Sequence, residues 1–230
     1  MKVVPTSALA HWRRVGDALE APDGVHRPSS FSAFLAAAIA GDGEPSEVAG
    51  YTVVDAGCGA GLMTIAALRG GAARVVAQDR DPSALRATRN NVRSVLGRDV
   101  VDRVDAAESD WTELGELGGD LVVVNPPQRP SRLIAATPSS ERHLHDTAGP
   151  DGTDALRIVL EHADADIVLS TMSRVLSPDL APLAAAVGMP RYSYDGAIAA
   201  AQVEHSAPWS TLVPGRIARV YVQRWSMVHG

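Results

Sequence analysis

The feature that most constrains this chain is the run Val53-Val54-Asp55-Ala56-Gly57-Cys58-Gly59-Ala60-Gly61, with Leu62-Met63-Thr64-Ile65-Ala66-Ala67-Leu68 behind it. Apolar residues leading into an acid, three glycines at alternate positions and a helical apolar pattern predict a strand, a tight turn and a helix in succession. Glycine is tolerated where φ must be positive or where a ligand must lie against bare backbone. The turn therefore predicts a nucleotide-like ligand at a helix N-terminus. A dinucleotide turn needs G-x-G-x-x-G, and counted from Gly57 and Gly59 the third glycine would fall at position 62, which is Leu62. That substitution argues against a nicotinamide-dependent oxidoreductase.

Strand and helix patterns alternate on both sides of this turn. Leu9, Trp12, Val15 and Leu19 mark an amphipathic helix, and Phe31 to Ala40 a second, with Ser29 or Ser30 as N-cap and Gly41 as C-cap. Arg74 to Asp79 reads as an apolar strand closing on an acid. Asp81 then caps a helix with Pro82 at its first position and Leu85, Val92, Val95 and Leu96 as its buried stripe. Val101 to Ala107 is a third strand, running into Asp110-Trp111. Asp120 to Val124 carries a solid β-branched run, which predicts burial on both faces of a parallel sheet, and it delivers Asn125-Pro126-Pro127-Gln128. Asp166 to Met172 is a fifth strand, Asp179 to Val187 a helix, and Tyr192 to His205 with Ile217 to Trp225 a closing antiparallel pair. Such alternation predicts an α/β fold with a doubly wound sheet. Where strand order reverses, the first strand neighbours the fourth, so Gly57 to Gly61 and Asn125 to Gln128 should face each other across one crevice.

An acid two residues before G-x-G-x-G resembles the cofactor loop of the class I S-adenosylmethionine-dependent methyltransferases. Asp79, 20 residues beyond Gly59, then Asp110, then Asn-Pro-Pro follow in that family's order. The resemblance covers roughly residues 25 to 225. It implies a Rossmann-like seven-stranded sheet, mostly parallel with an antiparallel C-terminal strand, and helices on both faces. It also implies S-adenosyl-L-methionine as cofactor and S-adenosyl-L-homocysteine as product. The implied cofactor residues are Asp55, Gly57, Cys58, Gly59, Gly61, Asp79, Arg80, Asp110, Trp111 and Asn125. Asp79 would hold the ribose hydroxyls, Asp110 would accept from the adenine amine and Trp111 would cover the ring. Cys58, between two glycines, reads as a small packing residue rather than a nucleophile.

Asn125-Pro126-Pro127 resembles the catalytic motif of the N-methylating branch, which usually continues with Tyr or Phe. The chemistry is readable in the residues themselves. The side-chain oxygen of Asn125 and the carbonyl of Pro126 are two acceptors able to fix a nitrogen through its N–H groups and aim it at a methyl. The prolines stiffen the loop and remove competing donors. Placement is the main task, since well-oriented reactants reach effective molarities of about 10⁵ to 10⁸ M. No general base is required, and none is evident. Gln128 departs from the pattern by replacing the aromatic, which argues against a flat base as acceptor. Arg27, Gln128 and Trp209 are the expected substrate-binding residues.

The expected acceptor is an amide or amine nitrogen of a small molecule or peptide. The alternative is a glutamine of a release factor or ribosomal protein, and less favoured is an RNA base. Gly149 to Leu156 resembles the Gly-Asp-Gly-Leu stretch of the release-factor glutamine methyltransferases. A net charge of −6 and a pI near 5.6 speak against a nucleic-acid partner, because phosphate neutralisation supplies most of that affinity. The cluster Arg80, Arg86, Arg89, Arg93 and Arg98 is interleaved with Asp81 and Asp99 and reads as a solvated helix face. A non-catalytic S-adenosylmethionine-binding module is disfavoured by Asn125 to Pro127.

At 230 residues the chain suits one α/β domain with a short appendage, expected as an N-terminal helical cap over 1–49 and the cofactor-binding domain over 50–230. Absence of an apolar run near 18 residues, and of a secretion signal, predicts no membrane partner and a cytoplasmic protein. One cysteine excludes an internal disulfide and agrees with that expectation. His143-Leu144-His145-Asp146 lacks a further ligand pair at useful spacing, so no metal is expected. The oligomeric state is not readable from the sequence.

Overall fold

The structure is a computed structural model and describes residues 1–42, 46–134, 149–173, 192–204 and 217–228. Its N-terminal elements are β1 (Lys2–Val3), α1 (Thr6–Asp17) and α2 (Ser30–Ala40). Ser29 caps α2 by accepting from the Ser32 N–H, while the Ser32 hydroxyl accepts from the Ser29 N–H, and Gly41 closes the helix at φ 71°. This reciprocal cap satisfies two of the otherwise orphaned donors of the first turn.

The central unit follows as β2 (Thr52–Ala56), α3 (Leu62–Arg69), β3 (Arg74–Asp79), α4 (Pro82–Leu96), α5 (Arg98–Val101) and β4 (Val104–Glu108). A 3₁₀ turn (Trp111–Glu116), β5 (Leu121–Val124), α6 (Ser131–Ile134), α7 (Asp154–His162), β6 (Ile167–Ser173), β7 (Tyr192–Glu204) and β8 (Ile217–Met227) complete it. The expected strand from Val101 begins three residues later. Gly97, at φ 98° and ψ 169°, ends α4 and turns the chain, so Val101 is buried from the short helix α5 instead. The helix expected over Asp179 to Val187 lies outside the described residues.

The described strands form one sheet in the order β1-β7-β8-β6-β5-β2-β3-β4. The pairs β2·β3, β2·β5, β3·β4 and β5·β6 are parallel, while β8 runs antiparallel to both β6 and β7. The sheet has one strand more than the seven expected. That strand is β1, whose Lys2 and Val3 pair with Ala199 and Ala200 at the edge, and two residues are too few for a periodic signal.

Side chains alternate across the sheet as the pleat requires. Val53, Val75, Leu121, Val123 and Leu169 pack with α1 to α4 in one core. Val54, Val76, Val122, Val124 and Val168 pack with α7 and Leu114 in the other. Helices thus cover both faces, and burying each such side chain contributes about 1.5 to 3 kcal/mol. The register places Ala56 beside Val124, so β2 and β5 end together where the strand order reverses. Among the described residues no helix is long and apolar enough to cross a membrane.

Candidate active site at the glycine loop and the end of β5

The loop after β2 is held from below by backbone bonds. The N–H groups of Gly57 and Cys58 both reach the Gln78 carbonyl, at 2.9 and 2.8 Å, and Gly61 N–H closes the turn on the Cys58 carbonyl at 2.8 Å. Gly61 enters α3 at φ 86°, and a Cβ there would stand 2.9 Å from the Cα, Cγ2 and Oγ1 of Thr88. Only glycine combines that backbone with that approach of α4. From α4, Thr88 donates its hydroxyl to the Gly59 carbonyl at 3.0 Å, and Asn91 donates to the carbonyls of Ala60 and Glu20 at 2.9 and 2.8 Å. The N-terminal segment passes over the turn, with the His26 carbonyl 3.7 Å from where a Cβ on Gly59 would lie.

Asp55, one residue before the end of β2, is almost wholly buried, at 2% exposure, with its Oδ2 accepting from the Thr64 hydroxyl at 2.6 Å. Burial outweighs the Thr64 bonds and pushes its pKa up to about 7. The Cys58 thiol is pushed well up as well, first by burial and then by the neighbouring Asp55, so it remains protonated and packs as a small side chain.

Asp79 sits at the end of β3 with its carboxylate over the loop. One oxygen accepts from the Gly59 N–H at 2.9 Å and the other from the Asp81 N–H at 3.0 Å. Each carboxylate oxygen has a further lone pair to offer a ligand hydroxyl. Gln78, buried beside it, accepts from Gly57 N–H at 3.0 Å and donates to the Ser109 carbonyl at 2.5 Å, tying the loop to the end of β4. Asp110 caps the 3₁₀ turn through Thr112 N–H and is exposed. The half-buried Trp111 ring lies against the loop, with Cζ2 3.1 Å from where a Cβ on Gly57 would be. Gly57 itself is exposed. A bare glycine backbone flanked by an indole and two carboxylates fits an adenosyl group, and the buried Ser109 hydroxyl at the same edge has no hydrogen-bond partner among the described residues.

Beside the loop, the neighbouring strand β5 delivers Asn125. Its Nδ2 donates to the Ser32 hydroxyl of α2 at 3.0 Å, and its Oδ1 accepts from the Thr171 hydroxyl of β6. Pro126 is buried and Pro127 half-buried. Gln128, at 6% exposure, turns inward and donates from Nε2 to Thr171 Oγ1 at 3.3 Å. Gln128 is thus part of the packing behind Asn125. Arg27 and Arg80 are exposed. Trp209, like His143, His145 and Asp146, lies outside the described residues. Sequence reasoning did not single out Gln78, Thr64, Thr88, Asn91, Ser32 or Thr171. For Gln78 the signal was present, as a polar residue within the strand pattern Arg74 to Asp79, directly behind the apolar run Val75 to Ala77.

Residues 44–125 match the model of the family described as ribosomal protein L11 methyltransferase (PrmA). The ribosomal protein L11 methyltransferase of Alteromonas mediterranea is 46% identical over 79 residues, 34% of this chain and 25% of that protein. The Escherichia coli protein of the same name is 40% identical over 90 residues, 39% of this chain and 29% of that one. The chain therefore spans only about a quarter to a third of the length of these curated relatives. Among solved structures, the RNA methyltransferase candidate PH1948 of Pyrococcus horikoshii superposes with TM-score 0.63 at 16% identity, over 97% of this chain and all of that one. The Mtq2–Trm112 complex of E. cuniculi, named for methylating the eRF1 termination factor, does so at 0.58 and 15%, over 89% of this chain and 99% of that chain. The matched stretch runs from before β2 to Asn125 and so contains the glycine loop, Asp79 and Asp110. Sheet order, glycine loop and these likenesses agree: the chain has the fold of the class I S-adenosylmethionine-dependent methyltransferases.

Proposed function

We propose that the protein is an S-adenosylmethionine-dependent N-methyltransferase acting on an amine or amide nitrogen of a protein. The observation that carries this reading is the register of β2 with β5, which ends the two strands side by side, so that the glycine loop and Asn125 follow from neighbouring strand ends. When bound, S-adenosylmethionine would supply an electrophilic methyl for an N–C bond to the acceptor nitrogen, with the pair of the broken C–S bond left on sulfur and the nitrogen's proton passed to water. The chain's own task is placement. The exposed Gly57 backbone would leave room for the cofactor, Asp79 would offer two acceptors to its ribose, and Asp110 with Trp111 would hold its base. Asn125 Oδ1 retains one lone pair beyond its bond from Thr171, and with the Pro126 carbonyl it receives the acceptor's N–H groups.

The protein acceptor is supported by the names of the two relatives described above, both ribosomal protein L11 methyltransferases, and of the family model that matches residues 44–125. Gln128, tied into the interior, presents no flat ring for a nucleobase. The reading is tested by incubating the protein with methyl-tritiated S-adenosylmethionine and a size-fractionated extract of its native cells, with protease and nuclease arms. Label lost on proteolysis is expected. Label confined to small molecules replaces the protein with a metabolite amine or amide, label lost to nuclease replaces it with RNA, and no label at all refutes the transferase. Asn125→Ala should abolish labelling while S-adenosylhomocysteine still binds.

A further inference from the structure

The side chains of Gln128, Thr171, Asn125, Ser32 and Ser29 form one continuous hydrogen-bonded chain. Gln128 Nε2 donates to Thr171 Oγ1 at 3.3 Å, and Thr171 gives its single proton to Asn125 Oδ1. Asn125 Nδ2 donates to Ser32 Oγ at 3.0 Å, and Ser32 Oγ pairs with Ser29 Oγ at 3.3 Å while accepting from the Ser29 N–H at 3.1 Å. Thr171 spends its proton on Asn125, and Ser32, whose two lone pairs are taken by the Asn125 and Ser29 N–H groups, is left to donate to Ser29, so the chain has a consistent direction from the β5 loop into the first turn of α2. Thr171 is fully buried, and Gln128 and Ser32 nearly so. In such surroundings a polar chain of this kind is rigid when satisfied and costly when broken.

We propose that Thr171, Gln128 and Ser32 are positioning residues that lock the Asn125 amide with its oxygen toward β6, leaving one defined lone pair for the acceptor nitrogen. Gln128 takes the place of an aromatic contact to substrate with a bond behind the catalytic amide. An amide free to rotate by half a turn presents N–H groups, which repel an acceptor nitrogen's own N–H. The lock removes that state. It rests on Asn125 as the acceptor-fixing group, and it makes α2, at the far end of the chain of bonds, part of the site's geometry.

The test uses Thr171→Val, which keeps shape and removes the hydroxyl, with Thr171→Ser as the conservative rescue and Gln128→Met as a second break in the chain. Two readouts are taken: exchange of the Asn125 side-chain amide protons by nitrogen-15 NMR, and the rate of labelling the extract at saturating methyl-tritiated S-adenosylmethionine. Thr171→Val should raise the exchange rate and lower the labelling rate, each about tenfold or more, the scale of one lost buried hydrogen bond. S-adenosylhomocysteine affinity should stay within about twofold, and Thr171→Ser should restore both readouts. Exchange and labelling unchanged in Thr171→Val, or full activity in Gln128→Met with a loosened amide, overturn the lock. The exchange arm needs no methyl transfer. A wild-type protein that labels nothing therefore sinks the transferase reading, while the exchange rates still decide the lock.

Discussion

Asp55 gives the chain a pH dependence that can be worked out from its position. In the folded protein its pKa is raised from 3.8 to about 7, chiefly because burial penalises the charged form. Between these values the folded state holds a proton that the unfolded state has released. Stability therefore falls as pH rises through this window and is flat above about pH 7, where the full penalty of about 4 kcal/mol applies. From about pH 5 to about pH 8 the group costs about 2.5 kcal/mol, most of it before pH 7. Asp55→Asn keeps the shape and an acceptor oxygen for Thr64 but cannot ionise. Urea unfolding followed by circular dichroism at several pH values should show the wild type losing stability against the variant as pH rises. At a slope near 2 to 3 kcal/mol per molar urea, the midpoints should diverge by about 1 M. A wild-type-to-variant difference constant across the window would refute the buried, proton-holding carboxyl and the packing of β2 against α3 that creates it.

Three further outcomes follow from the loop. Gly61→Ala forces a left-handed φ on alanine and drives its Cβ against the backbone of Thr88, costing about 3 kcal/mol, a fall of about 6 to 12 °C in Tm by calorimetry. Asp79→Ala should weaken S-adenosylmethionine binding at least about tenfold by isothermal calorimetry, since charge-assisted bonds contribute about 1.5 to 3 kcal/mol each and the Gly59 N–H loses its anchor too; unchanged affinity removes Asp79 from the cofactor site. S-adenosylhomocysteine at about 100 times its Kd should add about 2.7 kcal/mol and raise Tm by about 5 to 11 °C, whereas NADH should leave it unmoved.

The central unit was legible because its signals are local. β-branched runs, glycines at fixed spacing and the Asp81-Pro82 cap predicted β2, α3, β3, α4 and β5 within a residue or so of their ends. Asp79 was legible for the same reason, as an acid closing a strand. The surroundings of Asn125 were not. Its partners Ser32 and Thr171 lie 93 and 46 residues away in the chain, and only the sheet order and the packing of α2 bring them together. Gln128 is the clearest case: a polar side chain at the end of a strand reads as exposed, yet Thr171 on the neighbouring strand draws it inward. β1 was missed because two residues carry no period, and β4 was begun early because Gly97 allowed α5 to intervene.

The division between cofactor and acceptor runs through the sheet itself. The match to the L11 methyltransferase family model ends at Asn125, so it holds the loop, Asp79 and Asp110 and stops at the amide. The side chains that touch that amide come from outside it, Ser32 from before and Thr171 from after, with Gln128 just beyond its end. Methyl transfer by placement needs one face of the crevice to be fixed by the cofactor and leaves the other to whatever must be methylated. Under the proposed placement, the face free to change is the one in which Gln128 stands in place of the aromatic expected there. What orients the acceptor would then be set by α2, β6 and the β5 loop together, and a partner's name carried over from the matched stretch alone says more about the methyl donor than about the nitrogen that receives it.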